Sequence, residues 1–417
     1  MVDATTPTAP EDFDPLSMLL DQNALREPQP HYDLLHATAP VVRTQGGFYL
    51  VSRYDDTSRV LKDNALFRSP GTEAINAADP RFASHPALNM VSRSILALDG
   101  KDHTHLRKLS AREFMPRRVF DIQPTIERIC TKHVDSIRIR LCDGETVDVM
   151  EELAVPFPLE LIAEMIGIPS SDRPYLATVV RALLKLIEPD PTIEVVSAAD
   201  HAFLELEEYL LRHIRDRRAR PQDDLTSALI ATAEASSESY SDDQIVLSLI
   251  VVWAAGFDTS AAAIGNGIVT LLGSPNETDA MLAGGQNESR RFVDEILRLE
   301  CPVQIPPAFR YATADIEFGE VTIPAGSDVR VLLSAANRDR AVYDNPDVFC
   351  PERLGRPALT FSAGIHYCLG AGLAKAELTT ILRQYALHLR HAVLVKEPDR
   401  RTSLLFRTYG EVNIALE

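Results

Sequence analysis

The clearest alternation near the start of the chain is GGFYLVSRY at 46–54, apolar positions entered from a glycine pair, which predicts a strand; DDTSRVLKD just after it predicts a short helix. From 71 to 98 the period is lost, and the pattern predicts a long loop with short helical pieces, of the kind that covers a binding site. After Gly100 a helical period runs to about 236, with breaks at Pro116, at 167–174 and at 188–191. SDDQIVLSLIVVWAAGFDTSAAAIGNGIVTLLG at 241–273 predicts one long helix. It opens on a capping box of Ser241 and Gln244, with Asp242 and Asp243 at the positive helix end. Unbroken, it would be about 45–50 Å long at ~1.5 Å per residue, and its apolar surface before Gly256 predicts burial. Residues 301–339 read as short strands, 369–389 as a helix and the last stretch as strand-like and irregular. No repeat or linker interrupts this order, so one α-rich domain over 1–417 with a small sheet portion is expected, with 1–25 as a flexible tail.

Composition changes the picture in two respects. The chain has 417 residues, 45% of them hydrophobic and 24% charged, too apolar for disorder. Its net charge of -18 argues against nucleic acid or an anionic membrane as the main partner, since both are polyanions. The beginning, MVDATTPTAPEDFDPL, lacks the basic and apolar regions of a secretory signal, and the apolar run at 245–255 is shorter than the ~20 residues a bilayer needs. Cys130, Cys142, Cys301, Cys350 and Cys368 show no close or regular spacing, so reduced thiols in a cytoplasmic protein are expected.

Four segments carry candidate chemistry. FSAGIHYCLG at 361–370 sets a lone thiol among glycines before a helix, with too few neighbouring ligands for zinc. AGFDTS puts Asp258, Thr259 and Ser260 into a stretch otherwise built for burial. A buried carboxylate costs several kcal/mol unless paired, so Asp258 needs a partner or a wet cavity. One reading pairs it with an arginine elsewhere and bonds Thr259 to its own i−4 carbonyl; Gly256 beside it would let something flat approach the backbone. Glu295 and Arg298, three apart on a helix, are either a solvated surface pair or an inward-facing brace among Ile296, Leu297 and Leu299. HTHLRKLSAREFMPRR at 103–118 concentrates positive charge in an acidic protein: a solvated face, an anion site or a docking surface for an acidic protein.

In this order the four segments resemble the cytochrome P450 family, over about 30–410. Phe361, Gly364, His366, Cys368 and Gly370 meet the family's cysteine-loop pattern; Ala255, Gly256, Asp258 and Thr259 its acid–threonine pattern; Glu295 and Arg298 its Glu-x-x-Arg pair. PERLG at 351–355 and ANRD at 336–339 look like the meander and the strand end before it. Ser362 stands where glycine is commoner, Ser260 where a second threonine is common and Lys375 where arginine is usual. The resemblance implies a mainly α fold, a triangular prism with a small sheet portion, holding haem b between the long distal helix and the cysteine loop.

Carried over residue by residue, Cys368 would be the axial thiolate ligand of the haem iron, its pKa lowered by the following helix, with Gly364 and Gly370 turning the loop and Phe361 packed beside the sulfur. His103, Arg107, Arg310 and His366 would neutralise the propionates, while His105 would be a surface or outlying group. Ala255 and Gly256 would make room for dioxygen and substrate, Thr259 would hydrogen-bond the activated oxygen and Asp258 would relay protons from solvent. The implied activity is monooxygenation of a lipophilic organic substrate, with electrons from NAD(P)H through ferredoxin reductase and a ferredoxin docking at Lys108, Arg112, Arg117 and Arg118. Ile95, Leu96, Leu98, Val252, Phe257, Ile305, Phe309 and Leu405 are the expected pocket wall, and a monomer is expected. A peroxide-driven peroxygenase and a non-catalytic haem carrier or sensor are the alternatives; Asp258 and Thr259 argue against both, since neither needs a full proton relay.

Overall fold

A computed structural model of the protein describes residues 15–187 and 191–417. Its spine is the helix Asp242–Gly273, 32 residues long and begun by the expected box: Ser241 Oγ accepts from the Gln244 N–H and Gln244 Oε1 from the Ser241 N–H. The two halves of this helix serve different cores. Trp253 and Phe257 pack among apolar residues of Pro156–Ile166, Arg173–Leu184, Ile193–Ala219 and Leu225–Ala235. Ile264, Ile268 and Leu271 pack with Pro116–Cys142, Gln286–Leu299 and Ala371–His388. Full burial of side chains this size contributes roughly 1.5–3 kcal/mol each, so the helix is fixed from two sides. By length and composition it could cross a membrane, but 56% of its most apolar stretch is buried inside the molecule.

The helix is not buried all round. Ala255 is exposed and Val251, Val252 and Thr259 are half-buried, so one stripe opens into a cleft near its centre. Hydropathy counts alanine and valine as core residues wherever they stand, so the stripe is silent in the sequence.

A five-stranded sheet lies beside the helices, in the spatial order Val41–Arg43, Tyr49–Val51, Asp328–Val331, Arg310–Ala312 and Phe67–Arg68. Tyr49–Val51 pairs in parallel with Asp328–Val331, in the register Leu50↔Arg330; the other neighbours are antiparallel. The pairing Phe67↔Ala312 brings Ser69, just past the edge strand, alongside Arg310. A three-stranded sheet joins Val147–Asp148, Asn413–Leu416 and Ala392–Leu394. The first of these, two residues long, is too short to leave a period and falls within the stretch expected to be helical.

The loop at 71–98 carries the short helices Gly71–Ala78, Arg81–Ser84 and Pro86–Arg93, as its broken period suggests. The strand expected through 339 stops at Val331; Leu333–Ala336 is a helical turn. Of the tail expected over 1–25, residues 1–14 lie outside the described residues, as does 188–190 of the break at 188–191. Residues 15–25 are no tail: Pro15–Met18 and Gln22–Arg26 are helical, Asp21 caps the second through the Ala24 N–H, and Met18 and Leu19 are buried.

Candidate active site

The cysteine loop is a short 3-10 turn, Gly364–His366, between an extended approach and the helix Ala371–His388. The Cys368 N–H donates to the Phe361 carbonyl at 2.9 Å, closing the loop on itself. Gly364 has φ 70°, and a Cβ there would lie 2.3 Å from the Leu61 carbonyl oxygen, so only glycine fits. Ser362 also has a positive φ, 63°, where an L side chain is strained; this departure from the family pattern has a backbone cost. Gly370 behaves otherwise than expected. Its φ is -85° and a Cβ would meet nothing, so the turn does not require glycine there.

The Cys368 side chain is open to solvent yet walled in closely enough that burial governs its titration, as at the floor of a cleft. Burial pushes the thiol above its ordinary value, and the Gly370 N–H and the charge on Arg107 offset only part of that. The Gly370 N–H at the start of the helix thus acts in the expected direction, but burial outweighs it; a cation bound to the sulfur would supply the rest.

Next to this loop the four expected propionate partners converge. His103 is buried and its ring lies 4.4 Å, centroid to centroid, from that of His366. Arg107 Nη2 donates to the Tyr367 carbonyl at 2.7 Å, and Arg310, 2% exposed, donates through Nη1 to Ser69 Oγ at 3.3 Å. His366 Nε2 bonds Asp99 Oδ1 at 2.8 Å, and Asp99 Oδ2 accepts from the Ser69 N–H at 2.6 Å. Burial, then the charges at His366 and Arg107, push His103 down to about 4. Burial works to raise the Asp99 carboxyl, but the His366 and Ser69 bonds and Arg310 outweigh it and leave it low. Two buried side-chain nitrogens in this cluster, His103 Nε2 and Arg310 Nε, have no partner among the described residues. An orphaned buried donor costs about 1–3 kcal/mol, and a ligand carboxylate would relieve it. The residues present therefore fit a group that offers carboxylates here and a soft cation to Cys368, as a haem would. Asp99 and Ser69 escaped the sequence reading. An aspartate before a glycine looks like a helix cap, yet Asp99 makes no capping bond.

On the long helix, Thr259 Oγ1 donates to the Ala255 carbonyl at 2.7 Å, the local bond one reading of the sequence foresaw, while the residue stays half-exposed beside exposed Ala255. Gly256 does not face the cleft. A Cβ there would lie 2.4 Å from Ile162 Cδ1, so its missing side chain admits the helix Pro156–Ile166 instead. Asp258 turns aside from the Ala255 stripe and lines a separate cavity with Arg401. Ser260 turns to the proximal helix and donates to Glu377 Oε2 at 2.9 Å. Burial pushes Glu377 up to about 8.

Glu295 and Arg298 are the inward brace and not a surface pair. They are 5% and 3% exposed and joined by two 2.8 Å bonds. Arg353, of PERLG, adds Nε to Glu295 Oε1 at 3.0 Å, a third member that the hydrophilic look of its segment concealed.

The expected pocket wall divides. Ile95, Leu96, Leu98, Val252 and Phe309 are half-exposed and available to line a cleft. Phe257, Ile305 and Leu405 are instead sealed in cores: Phe257 among the helices with Arg181 over its ring at 5.7 Å, the other two against Leu50 and Leu332. Apolar character cannot distinguish a core from a pocket. The basic patch divides as well. Lys108 pairs with Glu238 at 3.1 Å, and Arg118 with Glu113 at 3.0 Å and Asp223 at 3.2 Å, whereas Arg112 and Arg117 stay exposed. His105 lies outside the site, bonded to Glu238 and stacked on Tyr240 at 4.0 Å.

A family model described as cytochrome P450 matches residues 289–411. The chain is 30% identical to cytochrome P450 BJ-3 of Bradyrhizobium diazoefficiens over 97% of its own length and 96% of the relative's. It is 32% identical to the 6-deoxyerythronolide B hydroxylase of Saccharopolyspora erythraea, over 93% and 95%. The crystal structure of CalO2 superposes with a TM-score of 0.85 at 27% identity, covering 97% of this chain and 98% of that one.

Proposed function

Because the chain belongs to the cytochrome P450 family and is a monooxygenase of that family, we propose that it oxidises a lipophilic organic molecule with one atom of O2, drawing electrons from NAD(P)H through a ferredoxin reductase and a ferredoxin. The observation that supports the reading is the cysteine loop itself: an accessible Cys368 next to a cluster of His103, Arg107, Arg310 and His366, together with a solvent-open stripe at Ala255 and Thr259 on the long helix. The cofactor we assign is haem b, which, held by Cys368, supplies dioxygen activation and the oxidising power for C–H attack.

The chain supplies everything else. His103, Arg107, Arg310 and His366 bind the two propionates, with Asp99 fixing the His366 ring. Phe361, half-buried beside the loop with Lys375 Nζ 5.6 Å from its ring centre, limits water on the cysteine side. Thr259 can exchange its bond to the Ala255 carbonyl for one to a ligand in the cleft, which holds a proton at the hydroxyl where it is needed. Asp258, the adjacent residue, returns that proton from solvent. Ile95, Leu96, Leu98, Val252 and Phe309 hold the substrate by shape. For the electron donor, exposed Arg112 and Arg117, with Met115 and Phe120 exposed between and beside them, make the docking patch for an acidic ferredoxin. We place the protein in the cytoplasm as a monomer.

The test is reconstitution with ferredoxin, reductase, NADPH and 18O2, using lipophilic compounds chosen by spectral titration of the ferric form. One labelled oxygen in the product is expected. Cys368→Ala should also lose the red-shifted Soret band of the ferrous–CO complex; its persistence would contradict the assignment of that sulfur.

A further inference from the structure

The cavity lined by Asp258 lies on the flank of the long helix, apart from the Ala255 and Thr259 stripe. It encloses about 110 Å³ and is bounded by Met150, Ala261, Arg401, Thr408 and Gly410 as well as Asp258. Arg401 and Gly410 are exposed and form its mouth; Met150, Ala261 and Thr408 are buried and form its walls. A water needs roughly 10–15 Å³ of such space and two or more polar partners. A carboxylate, a guanidinium and a hydroxyl provide the partners, and the volume admits several waters in file.

The mouth is rigidly placed. Arg401 and Thr408 face each other on the C-terminal hairpin, with the Arg401 N–H donating to the Thr408 carbonyl at 2.9 Å and the bridge Arg400↔Tyr409 beside it. Buried Asn266 clamps the hairpin to the long helix. Its Nδ2 donates to the Arg407 carbonyl at 2.8 Å and its Oδ1 accepts from Arg400 Nη1 at 2.8 Å. Arg400 and Arg407 are in turn held by half-buried Glu300, at 2.6 and 3.0 Å. Asn266 stands about two turns beyond Asp258 on the same helix, so one rigid body carries the acid and positions the hairpin that presents Arg401 to it.

We propose that this cavity is the water-filled inlet through which Asp258 exchanges protons with solvent, and that Arg401 is the positioning residue that orients the Asp258 carboxylate within it. The inference rests on the proton role given to Asp258 above. In the step concerned, a proton passes from cavity water to the Asp258 carboxylate and on to the cleft through Thr259, and a proton from bulk solvent restores the water; no electrons move.

The test uses the holoenzyme with the surrogate ferredoxin system and the compound found by spectral titration. Arg401→Gln and the cavity-filling Ala261→Leu should each lower product formed per NADPH several-fold and raise the solvent isotope effect on turnover, and Arg401→Lys should recover most of the loss. Asp258→Asn should cost at least as much, about 100-fold for a lost general acid, and adding Arg401→Gln to it should cost nothing further. Independently of turnover, a high-resolution crystal structure should show ordered water between the mouth and the Asp258 carboxylate, expelled in Ala261→Leu. Parent-like coupling and isotope effect in both Arg401→Gln and Ala261→Leu, with Asp258→Asn impaired, would overturn the inlet while leaving the acid's role standing. A parent-like Asp258→Asn would overturn the acid's role itself.

Discussion

Two charge clusters, one around Glu295 and one around Asp99, differ in whether their hydrogen bonds close. Around Glu295, one carboxylate oxygen accepts from Arg298, Arg353 and the Cys350 N–H, the other from Arg298 Nε, and Arg298 Nη1 covers the carbonyls of Asn337 and Pro346. Around Asp99, by contrast, His103 Nε2 and Arg310 Nε remain buried without a partner among the described residues. The same residue types thus do opposite work. A closed cluster ties the helix Gln286–Leu299 to the meander and has nothing left for a ligand. An open one stores unmet donors, whose cost is recovered only when acceptors arrive from outside the chain.

If that contrast is right, the largest effect belongs to the closed cluster. Glu295→Gln leaves two guanidiniums buried without their counter-charge and should cost about 3–5 kcal/mol of stability, read from urea unfolding and from the yield of folded protein. Stability near the parent's would mean the cluster is not closed in solution. Arg310→Leu should behave differently. The apoprotein should keep its far-ultraviolet circular dichroism and unfolding midpoint, or gain slightly, because a partly orphaned donor is gone. Haem transfer to a scavenger protein should speed about tenfold or more, from the loss of a charge-assisted bond of ~1.5–3 kcal/mol. An unfolded apoprotein, or unchanged haem transfer, would erase the distinction between the clusters.

An effect confined to one pH range comes from a third arrangement, Glu377, a buried acid whose bond comes from the Ser260 hydroxyl and not from a cation. Burial raises it from 4.5 to about 8 in the folded protein. Between those values the unfolded chain has released its proton and the folded one has not, so stability declines as pH rises from about 4.5 to 8 and then levels. Glu377→Gln should match the parent near pH 5, be the more stable at pH 8 and flatten the profile, in chemical unfolding run at both values. A parallel pair of profiles would mean that Glu377 is ionised in the fold.

Spacing carried much of the candidate site. The interval from Phe361 to Gly370 is local chain geometry, and the Gly364 contact with Leu61 shows why one of its glycines is fixed. The roles written into single residue types fared less evenly. Gly256 looked like an opening in the site and Gly370 like a residue the loop turn needs, yet the first admits Ile162 and the second has an ordinary φ. Phe257 looked like pocket wall and is core. Asp99, Ser69 and Arg353 were invisible, because each acts on a partner far away in the chain: Asp99 on His366, Arg353 on Glu295.

The amino-acid order alone determined the long helix and its capping box, the turn that presents Cys368 and the family to which the chain belongs, because these depend on neighbours within a few residues and on spacings that survive in one dimension. Only the tertiary structure decided that Glu295 and Arg298 face inward, that half of the basic patch is spent on internal pairs, and that Asp258 looks into a cavity beside Arg401. Helical period assigns a residue to a face; what that face meets is set by segments hundreds of positions away, and the free energy of a charge depends on that meeting.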